Sequence, residues 1–299
     1  MGLGVALPPL AVDAYPTTYL RPAIPYAAIS VAHGRALYRE HCAPCHGIAG
    51  YGDGPAASGL PRRPADLTAK HTADHTVGDL FWWLTNGIDG SPMRGFGDRL
   101  SEEARWDLIN FLRTVAAAEQ ARGLGPVATP DPTLVAPDFA FTTGVGESRA
   151  LKDHRGQQMV LLLLFSLPES TDRLVQLSSV YSNLRRLGVE VLGIPLRASG
   201  DIYRGLGPRP ILFPIVVDGA AEAATTYGLF RRDFSATGQL PDPPIPSHME
   251  LLIDRQGYLR ARWAPEGEDG WADVGRLLRE VERLAREVPR VAVPDEHVH

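Results

Sequence analysis

The spacing of the hydrophobic residues divides the chain into two parts. In the first part, apolar residues recur every three to four positions, which is typical of amphipathic helices. The pattern predicts one helix that begins with Ser30 as its N-cap and runs to Cys42, and a second over residues 77–87. A third helix is predicted from Ser101 to about Ala118, with acidic residues in its first turn. Residues 1–29 contain several prolines and are predicted to form an extended lead.

Periodicity is lost over residues 119–136, where glycine and proline predict a linker, and a different pattern comes after it. Continuous apolar runs then alternate with amphipathic stretches, as in a compact α/β domain with buried strands. The predicted elements are the strand Met159–Phe165, the helix Thr171–Leu187, the strands Val189–Leu196 and Phe213–Val217, an Ala-rich helix ending at Phe230, hairpin strands Met249–Ile253 and Tyr258–Trp263, and the helix Trp271–Val288.

Length and composition agree with a two-domain soluble protein. The chain has 299 residues, 44% of them hydrophobic, and a formal net charge of -5, which gives no basic surface for nucleic acid. Residues 1–12 are apolar but too short to span a bilayer, and Pro8 and Pro9 interrupt them. We therefore expect a mature or excised soluble piece of a longer chain.

The motif Cys42-Ala43-Pro44-Cys45-His46 carries the first chemical signal, and it uses both cysteines of the chain. Two thiols at this spacing can each form a thioether with a haem vinyl group, and the adjacent histidine can reach the iron. The alternatives are a zinc half-site or a thioredoxin-type redox pair. A structural zinc site needs about four ligands, and the chain has no second cysteine pair. A redox pair should follow a strand, whereas the residues before Cys42 are predicted to be helical.

Residues 30–118 resemble the class I cytochromes c, in which an N-terminal helix enters C-x-x-C-H and crosses a C-terminal helix bearing aromatic residues. Here Gly34 and Tyr38 match the first helix, and Trp106 and Phe111 match the last. The resemblance implies one covalent haem c, with His46 as the proximal axial ligand. It also implies that a Met before the last helix is the distal ligand. Met93 lies in such a loop, with His71 and His75 as rival ligands.

Four further residues are candidates for contacts with the haem propionates. Trp82 or Trp83 can donate an indole N–H, and Arg62 and Arg63 can pair by charge. Ligation by His46 and Met93 fills both axial positions and favours a relatively high reduction potential. Because such an iron has no open position for substrate, the predicted role is one-electron transfer with redox partner proteins.

Residues 137–288 resemble the thioredoxin-like fold, nearest its peroxiredoxin, TlpA and Sco-type branches. The resemblance lies in Ala136-Pro137-Asp138-Phe139, in the strand Met159–Phe165 and in Leu252-Ile253-Asp254-Arg255-Gln256-Gly257. Active members carry a cysteine pair after the first buried strand, where this chain has Ser170 and Arg173. A serine lacks the low pKa and nucleophilicity of a thiolate. The expected fold class is therefore an all-α cytochrome domain followed by a redox-inactive α/β binding domain, and the expectation is that the protein is not an enzyme.

Copper binding is the alternative function. Sco-type proteins hold copper with two cysteines and one histidine, and His248 with Met249 offers an imidazole and a thioether here. The tail of residues 289–299 adds His297 and His299. The alternative is thus a copper-binding or chaperone protein whose second domain holds the metal; the competing interpretation is that His248 is an ordinary loop residue.

The order of the two domains also resembles the periplasmic tail of some membrane proteins of the copper-resistance D family. The segment from Val12 to Pro22 is similar to the stretch just after the last membrane span in those proteins. That resemblance implies copper homeostasis as the context and, as a partner, an upstream membrane domain of the same protein. Thioether attachment is made outside the bacterial cytoplasm, so the expected location is the periplasm or the periplasmic face of the inner membrane.

Overall fold

The computed structural model describes residues 14–69, 72, 74–143, 147–197, 210–231, 247–265 and 270–294. His71, the tail histidines His297 and His299, and the first 13 residues lie outside them. Within the described residues, no helix combines the length and the apolar character that a membrane span requires.

Among the described residues, the first part of the structure contains the helices α1 (Ala28–His41), α2 (Ala43–His46), α3 (Val77–Asn86) and α4 (Glu102–Gln120). The Thr76 side chain caps α3 by accepting from the Asp79 N–H, and Ser101 caps α4 by accepting from the Ala104 N–H. The predicted cap of α1 was wrong. That helix begins two residues before Ser30, whose hydroxyl instead donates to Asp107 on α4 at 2.6 Å.

The crossing of α1 and α4 depends on Gly34. A Cβ atom at this position would lie 2.0 Å from the carbonyl oxygen of Asp107 and 2.9 Å from the Cβ of Phe111. The absence of a side chain therefore lets the two helix backbones meet. One turn further along α1, the rings of Tyr38 and Phe111 pack with their centroids 5.0 Å apart. Both aromatic side chains are buried in the core of this domain.

The second part is built on a five-stranded sheet with the order β1-β7-β6-β4-β5. Its strands are β1 (Leu134–Val135), β4 (Met159–Phe165), β5 (Val189–Pro195), β6 (His248–Ile253) and β7 (Tyr258–Trp263), while β2 (Ala140–Phe141) pairs with β3 (Arg149–Ala150). Strands β4 and β5 are parallel, and the other pairs are antiparallel. In the described part of this domain, the helices α5 (Thr171–Arg186), α6 (Ala220–Tyr227) and α7 (Val274–Ala285) follow or flank the sheet. Residues on the two sides of the sheet form two separate apolar clusters.

Two predicted elements differ from the structure. Phe213–Val217 is not a strand: Ile215 makes one isolated bridge to Gly193, and the segment is tethered beside β5 with Phe213 and Ile215 buried. The last helix is shorter than Trp271–Val288, because the Asp273 side chain caps it by accepting from the Arg276 N–H. An apolar run indicates burial, but buried segments need not pair as strands.

The segment predicted as a linker is packed against the five-stranded sheet of the second part. Helix α4 continues to Gln120, and a 3₁₀ turn follows at Ala121–Gly123. The Thr129 N–H then donates to the Arg260 carbonyl at 2.8 Å, and Ala128 is buried. At the other end of the cytochrome-like part, the Ala28 N–H donates to the Asp138 carbonyl at 2.7 Å. The two parts therefore pack together at the start of α1 and after the end of α4.

Candidate functional site

The Cys-x-x-Cys-His motif lies where two helices meet. Cys42 terminates α1, with its N–H donating to the Tyr38 carbonyl, and α2 carries Cys45 and His46. The Cys42 carbonyl accepts from the N–H groups of both Cys45 and His46, at 3.1 and 2.8 Å. One tight turn thus presents two thiols and an imidazole together, and both cysteines are partly exposed and free of disulfides.

The orientation of the His46 ring is fixed by a backbone carbonyl. Its Nδ1 lies 3.0 Å from the oxygen of Ala65, which assigns the Nδ1 proton to that contact and leaves the lone pair on Nε2. Burial lowers the pKa of His46, and the hydrogen bond to Ala65 opposes that shift in part. The ring is therefore neutral at pH 7, which is the state that binds iron, and it is held in the tautomer that a metal-ligating imidazole requires.

The two thiols do not have the properties of a dithiol exchange pair. Burial, with a smaller contribution from Cys45, raises the pKa of Cys42 to about 12. Thiol–disulfide exchange depends on an accessible thiolate, and exchange pairs normally have a lowered pKa. The residues here therefore fit thioether attachment better than redox cycling.

Met93 is held in a short loop after α3. The Ile88 N–H donates to the Met93 carbonyl at 3.1 Å, the Met93 N–H donates to the Ser91 hydroxyl at 3.1 Å, and Arg94 bridges to Gly87. The Met93 side chain is half-buried and packs against the core of the first domain, as does Cys42. The loop is fixed by its backbone, while the role of Met93 as the distal ligand stays a prediction.

The four propionate candidates lie in two different places. Trp82 stacks on Tyr15 with centroids 5.6 Å apart, and the edge of Trp83 contacts both Tyr15 and His75. Arg63 donates to the carbonyl oxygens of Tyr51 and Gly52, and Arg62 is exposed. The rival ligand His75 is exposed. The structure does not bring the two tryptophans and the two arginines together by a direct contact among the described residues.

Trp106, which the sequence pattern assigns only to helix packing, carries a buried donor in the core of the first domain. It is 1% exposed and stacks on Phe81, yet its indole N–H has no acceptor among the described residues. A buried N–H without an acceptor is costly, and such groups in native proteins usually bind a water, an ion or a ligand. A bound haem carries carboxylates that can accept, so this unsatisfied donor fits the group that the C-x-x-C-H motif implies.

A second polar cluster lies where the thioredoxin-like family would carry its cysteines. Ser170 is the N-cap residue of α5, and its hydroxyl is 3.0 Å from Nδ1 of His248. His248 Nε2 is 2.9 Å from Oε1 of Glu250, and Arg173 donates to both oxygens of that carboxylate, at 2.6 and 2.9 Å. All four side chains are buried. Burial by itself raises the pKa of Glu250, but the hydrogen bonds from His248 and Arg173 outweigh it and hold the pKa below 4.5.

The possible copper ligands are not brought to one site. His248 and Met249 are neighbours on β6, and adjacent residues of a strand point to opposite faces. Met249 packs in the apolar cluster on one side of the sheet, while both ring nitrogens of His248 are engaged on the other. The described part of the chain holds no group of three or more His, Cys, Asp or Glu side chains suited to a metal ion.

Family models match both parts of the chain. A cytochrome c model matches residues 31–116, and an AhpC/TSA family model matches residues 132–262. The chain joins a cytochrome c domain to a thioredoxin-like domain of the AhpC/TSA type. The predicted fold class is thereby confirmed, and the cytochrome c domain implies covalently bound haem c.

The expectation that the protein is not an enzyme was wrong. The AhpC/TSA match assigns the second domain to a fold of the thiol-peroxidase or oxidoreductase type. The expectation rests on the missing thiols, but the presence of Ser170 and Arg173 at their positions does not change the class of the fold.

Solved structures similar to the chain match one domain each. A chain of the Kuenenia stuttgartiensis reducing HAO-like protein complex is 31% identical over 31% of this chain and 46% of its own, with a TM-score of 0.29. The thiol:disulfide interchange protein DsbE from Chlorobium tepidum is 20% identical over 51% of this chain and 99% of its own, with a TM-score of 0.37. Peroxiredoxin Q from Xanthomonas campestris is 16% identical over 52% of this chain and 100% of its own, with a TM-score of 0.38. No curated protein matches the chain significantly.

Proposed function

We propose that the protein is an exported electron-transfer cytochrome whose single haem c is attached to Cys42 and Cys45, with His46 and Met93 as axial ligands. The observation that carries the proposal is the contact between Nδ1 of His46 and the Ala65 carbonyl. This contact leaves Nε2 as the nitrogen that can coordinate iron. When bound, the haem supplies reversible one-electron chemistry at its iron.

The residues of the chain make that chemistry an outer-sphere transfer. With haem bound, the imidazole of His46 and the thioether of Met93 would both coordinate the iron, which would leave no open position for substrate or solvent. The crossing of α1 with α4 at Gly34 and the Gly87–Arg94 bridge hold the two ligand-bearing segments in place. A rigid ligand frame limits structural change between oxidation states, which favours fast electron exchange with a docked partner.

For the second domain we propose a binding role beside the haem. The position at which the fold family carries a thiol is occupied here by Ser170, and both cysteines of the chain belong to the haem motif. In place of thiol chemistry, we propose that the surface of this domain docks redox partner proteins. The contacts of His248 and Met249 do not favour copper as its ligand.

Two further elements of the proposal concern the cellular context. Haem c is attached outside the bacterial cytoplasm, which supports the periplasm as the location. The resemblance to the copper-resistance D architecture suggests an upstream membrane domain as a partner. Washing native membranes at high salt and high pH tests this point, since a peripheral or soluble carrier would be released, whereas a protein with its own membrane domain would stay in the membrane fraction.

The haem assignment is tested on protein matured in a host that makes c-type cytochromes. We expect the haem to remain with the polypeptide after acid-acetone extraction and to give a pyridine haemochrome spectrum of the thioether type. Haem that extracts freely would contradict covalent attachment.

The distal ligand is tested by Met93→Ala, with Met249→Leu as a control in the buried core of the second domain. We expect Met93→Ala to abolish the weak charge-transfer band of thioether-ligated ferric haem and to lower the midpoint potential. Met249→Leu should leave both unchanged. A band that survives Met93→Ala would assign the ligand to another residue, with His71 and His75 as the first to test.

A further inference from the structure

A buried arginine of the second domain binds the end of the last cytochrome helix. Arg262 on β7 is 3% exposed. Its guanidinium donates to the carbonyl oxygens of Ala121, Arg122 and Leu124, at 3.0, 3.3 and 2.8 Å, and to that of Phe230 at 2.7 Å. The first three acceptors come directly after α4. Carbonyls at a helix C-terminus lack intrahelical partners and carry partial negative charge, so a buried cation there is well placed.

The same turn reaches into the cytochrome domain through Arg122. Its guanidinium donates to the Tyr51 hydroxyl at 2.5 Å and pairs with Glu119 at 3.0 Å. The Tyr51 hydroxyl also lies 3.4 Å from the Glu119 carboxylate. Tyr51 is thereby fixed between Glu119, in the last turn of α4, and Arg122 of the turn whose backbone Arg262 holds.

Tyr51 belongs to the loop that positions His46. The Gly52 N–H donates to the His46 carbonyl at 2.8 Å, and Arg63 donates to the Tyr51 carbonyl at 3.1 Å. The Leu67 N–H donates to the Gly50 carbonyl at 2.7 Å, which closes the loop over residues 47–67. This loop carries Ala65, whose carbonyl sets the orientation of the His46 ring.

We propose that Arg262 is a positioning residue through which the second domain holds the His46 side of the haem pocket, by way of Arg122, Tyr51 and the loop 47–67. In this proposal the second domain docks partners and also helps to set the reduction potential of the cytochrome. This inference rests on the proposed electron-transfer function. Its physical basis is a continuous series of hydrogen bonds from β7 to the loop.

The experiment compares Arg262→Gln and Tyr51→Phe with a matched control, Arg260→Gln. Arg260 is also buried on β7, at 2% exposed, and also donates to a backbone carbonyl, that of Thr129, but its other partners are Asp254 and Glu287. Among the described residues it makes no hydrogen bond to the turn at Ala121–Gly123. The control therefore reproduces the loss of a buried arginine without breaking the path to Tyr51.

Two measurements on the full-length haem protein are required: amide hydrogen exchange of residues 47–67 and the midpoint potential. We expect Arg262→Gln and Tyr51→Phe to speed exchange in this loop on the order of tenfold, as the loss of one internal hydrogen bond allows. Both should shift the midpoint potential with the same sign. The double variant should shift it no further than the larger single change, because the two residues act in series. Arg262→Lys, which keeps the charge at the helix end, should recover part of the effect.

The inference is overturned if Arg262→Gln leaves loop exchange and potential where Arg260→Gln leaves them, or if the two single changes add fully. These outcomes differ from failure of the proposed function. If the wild-type protein carries no covalent haem, electron transfer is refuted, while hydrogen exchange of residues 47–67 still reports whether Arg262 orders the loop.

Discussion

Replacing Arg173 with methionine removes the bidentate partner of a fully buried carboxylate. Glu250 is 0% exposed, and without Arg173 its remaining side-chain partner in the cluster is His248. Breaking a buried ion pair on one side costs about 3–5 kcal/mol, because the remaining charge is left poorly compensated. Protonation of the carboxylate limits this loss of unfolding free energy. Neutralising a group of ordinary pKa 4.5 at pH 7 costs about 3.4 kcal/mol, at about 1.36 kcal/mol per pKa unit. We therefore expect a loss of about 3 kcal/mol at pH 7.

The assay is thermal unfolding followed by two probes. Far-ultraviolet circular dichroism reports on the secondary structure of both domains, and Soret absorbance reports on the haem domain alone, so a change seen by the first probe and not by the second belongs to the α/β domain. For a domain of this size, a loss of about 3 kcal/mol lowers the midpoint temperature by roughly 6–12 °C. Arg286→Met is the control, since Arg286 pairs with Glu282 and both side chains are exposed, at 82% and 48%. It should cost no more than about 1 kcal/mol.

The double variant Arg173→Met/Glu250→Leu decides the reasoning. Replacing both members of a buried pair by apolar residues is often neutral, so the double variant should be more stable than Arg173→Met alone. If Arg173→Met costs less than about 1 kcal/mol, or if the double variant is as unstable as the single one, charge burial does not govern this cluster. The difference in unfolding free energy between wild type and Arg173→Met should also become smaller in acid, where Glu250 is neutral in both proteins.

Three other outcomes are expected. Gly34→Ala should destabilise the cytochrome domain by about 1–3 kcal/mol or more in Soret-detected melting, since its Cβ would meet the Asp107 carbonyl, whereas Gly59→Ala, with no atom within 4 Å of the new Cβ, should be nearly neutral. Because the folded-state pKa of Glu250 lies below 4.5, the stability that its charge contributes is complete above pH 4.5 and is lost as the pH falls through the lowered pKa. Glu250→Gln should therefore remove this acid-side loss from a plot of unfolding free energy against pH. An unchanged slope would assign the loss to other carboxylates. Thr76→Ala should cost about 1 kcal/mol through loss of the α3 cap, as measured by chemical denaturation, with Thr142→Ala as the comparison on the second domain.

The elements that could be predicted from sequence are those set by local signals. The C-x-x-C-H motif, the cap at Ser101, the buried runs of β4 and β5, and the Asp254–Gly257 turn between β6 and β7 all lie within a few residues of the feature they specify. Ser30 shows where this fails. Its side chain has the chemistry of an N-cap, but the hydrogen bond to Asp107, 77 positions away, is what the fold provides. Local preference cannot rank a cap against a tertiary partner.

The polar cluster of the second domain was invisible for the same reason. Sequence reasoning marked Ser170 and Arg173 by what they replace and His248 by its imidazole, but gave no role to Glu250. The partners are 77 positions apart for Arg173 and Glu250, and the pairing follows from the register of β6 beside β4. An acidic residue within an apolar strand was the available signal, because a carboxylate is rarely buried without a partner.

The glycine and proline content of residues 119–136 predicts irregular backbone. Composition does not show where the hydrogen-bond partners of such a backbone lie. Every buried carbonyl and N–H of such a segment must find a partner. Here the arginines Arg260, Arg262 and Arg283 of the second domain supply donors to the carbonyls of residues 121–129, while Glu280 accepts from the Ala128 N–H. In a flexible tether these backbone groups would be hydrogen-bonded to water, and the haem domain would be free to rotate relative to the second domain. A segment held by side chains of β7 and α7 instead fixes the cytochrome domain relative to the sheet.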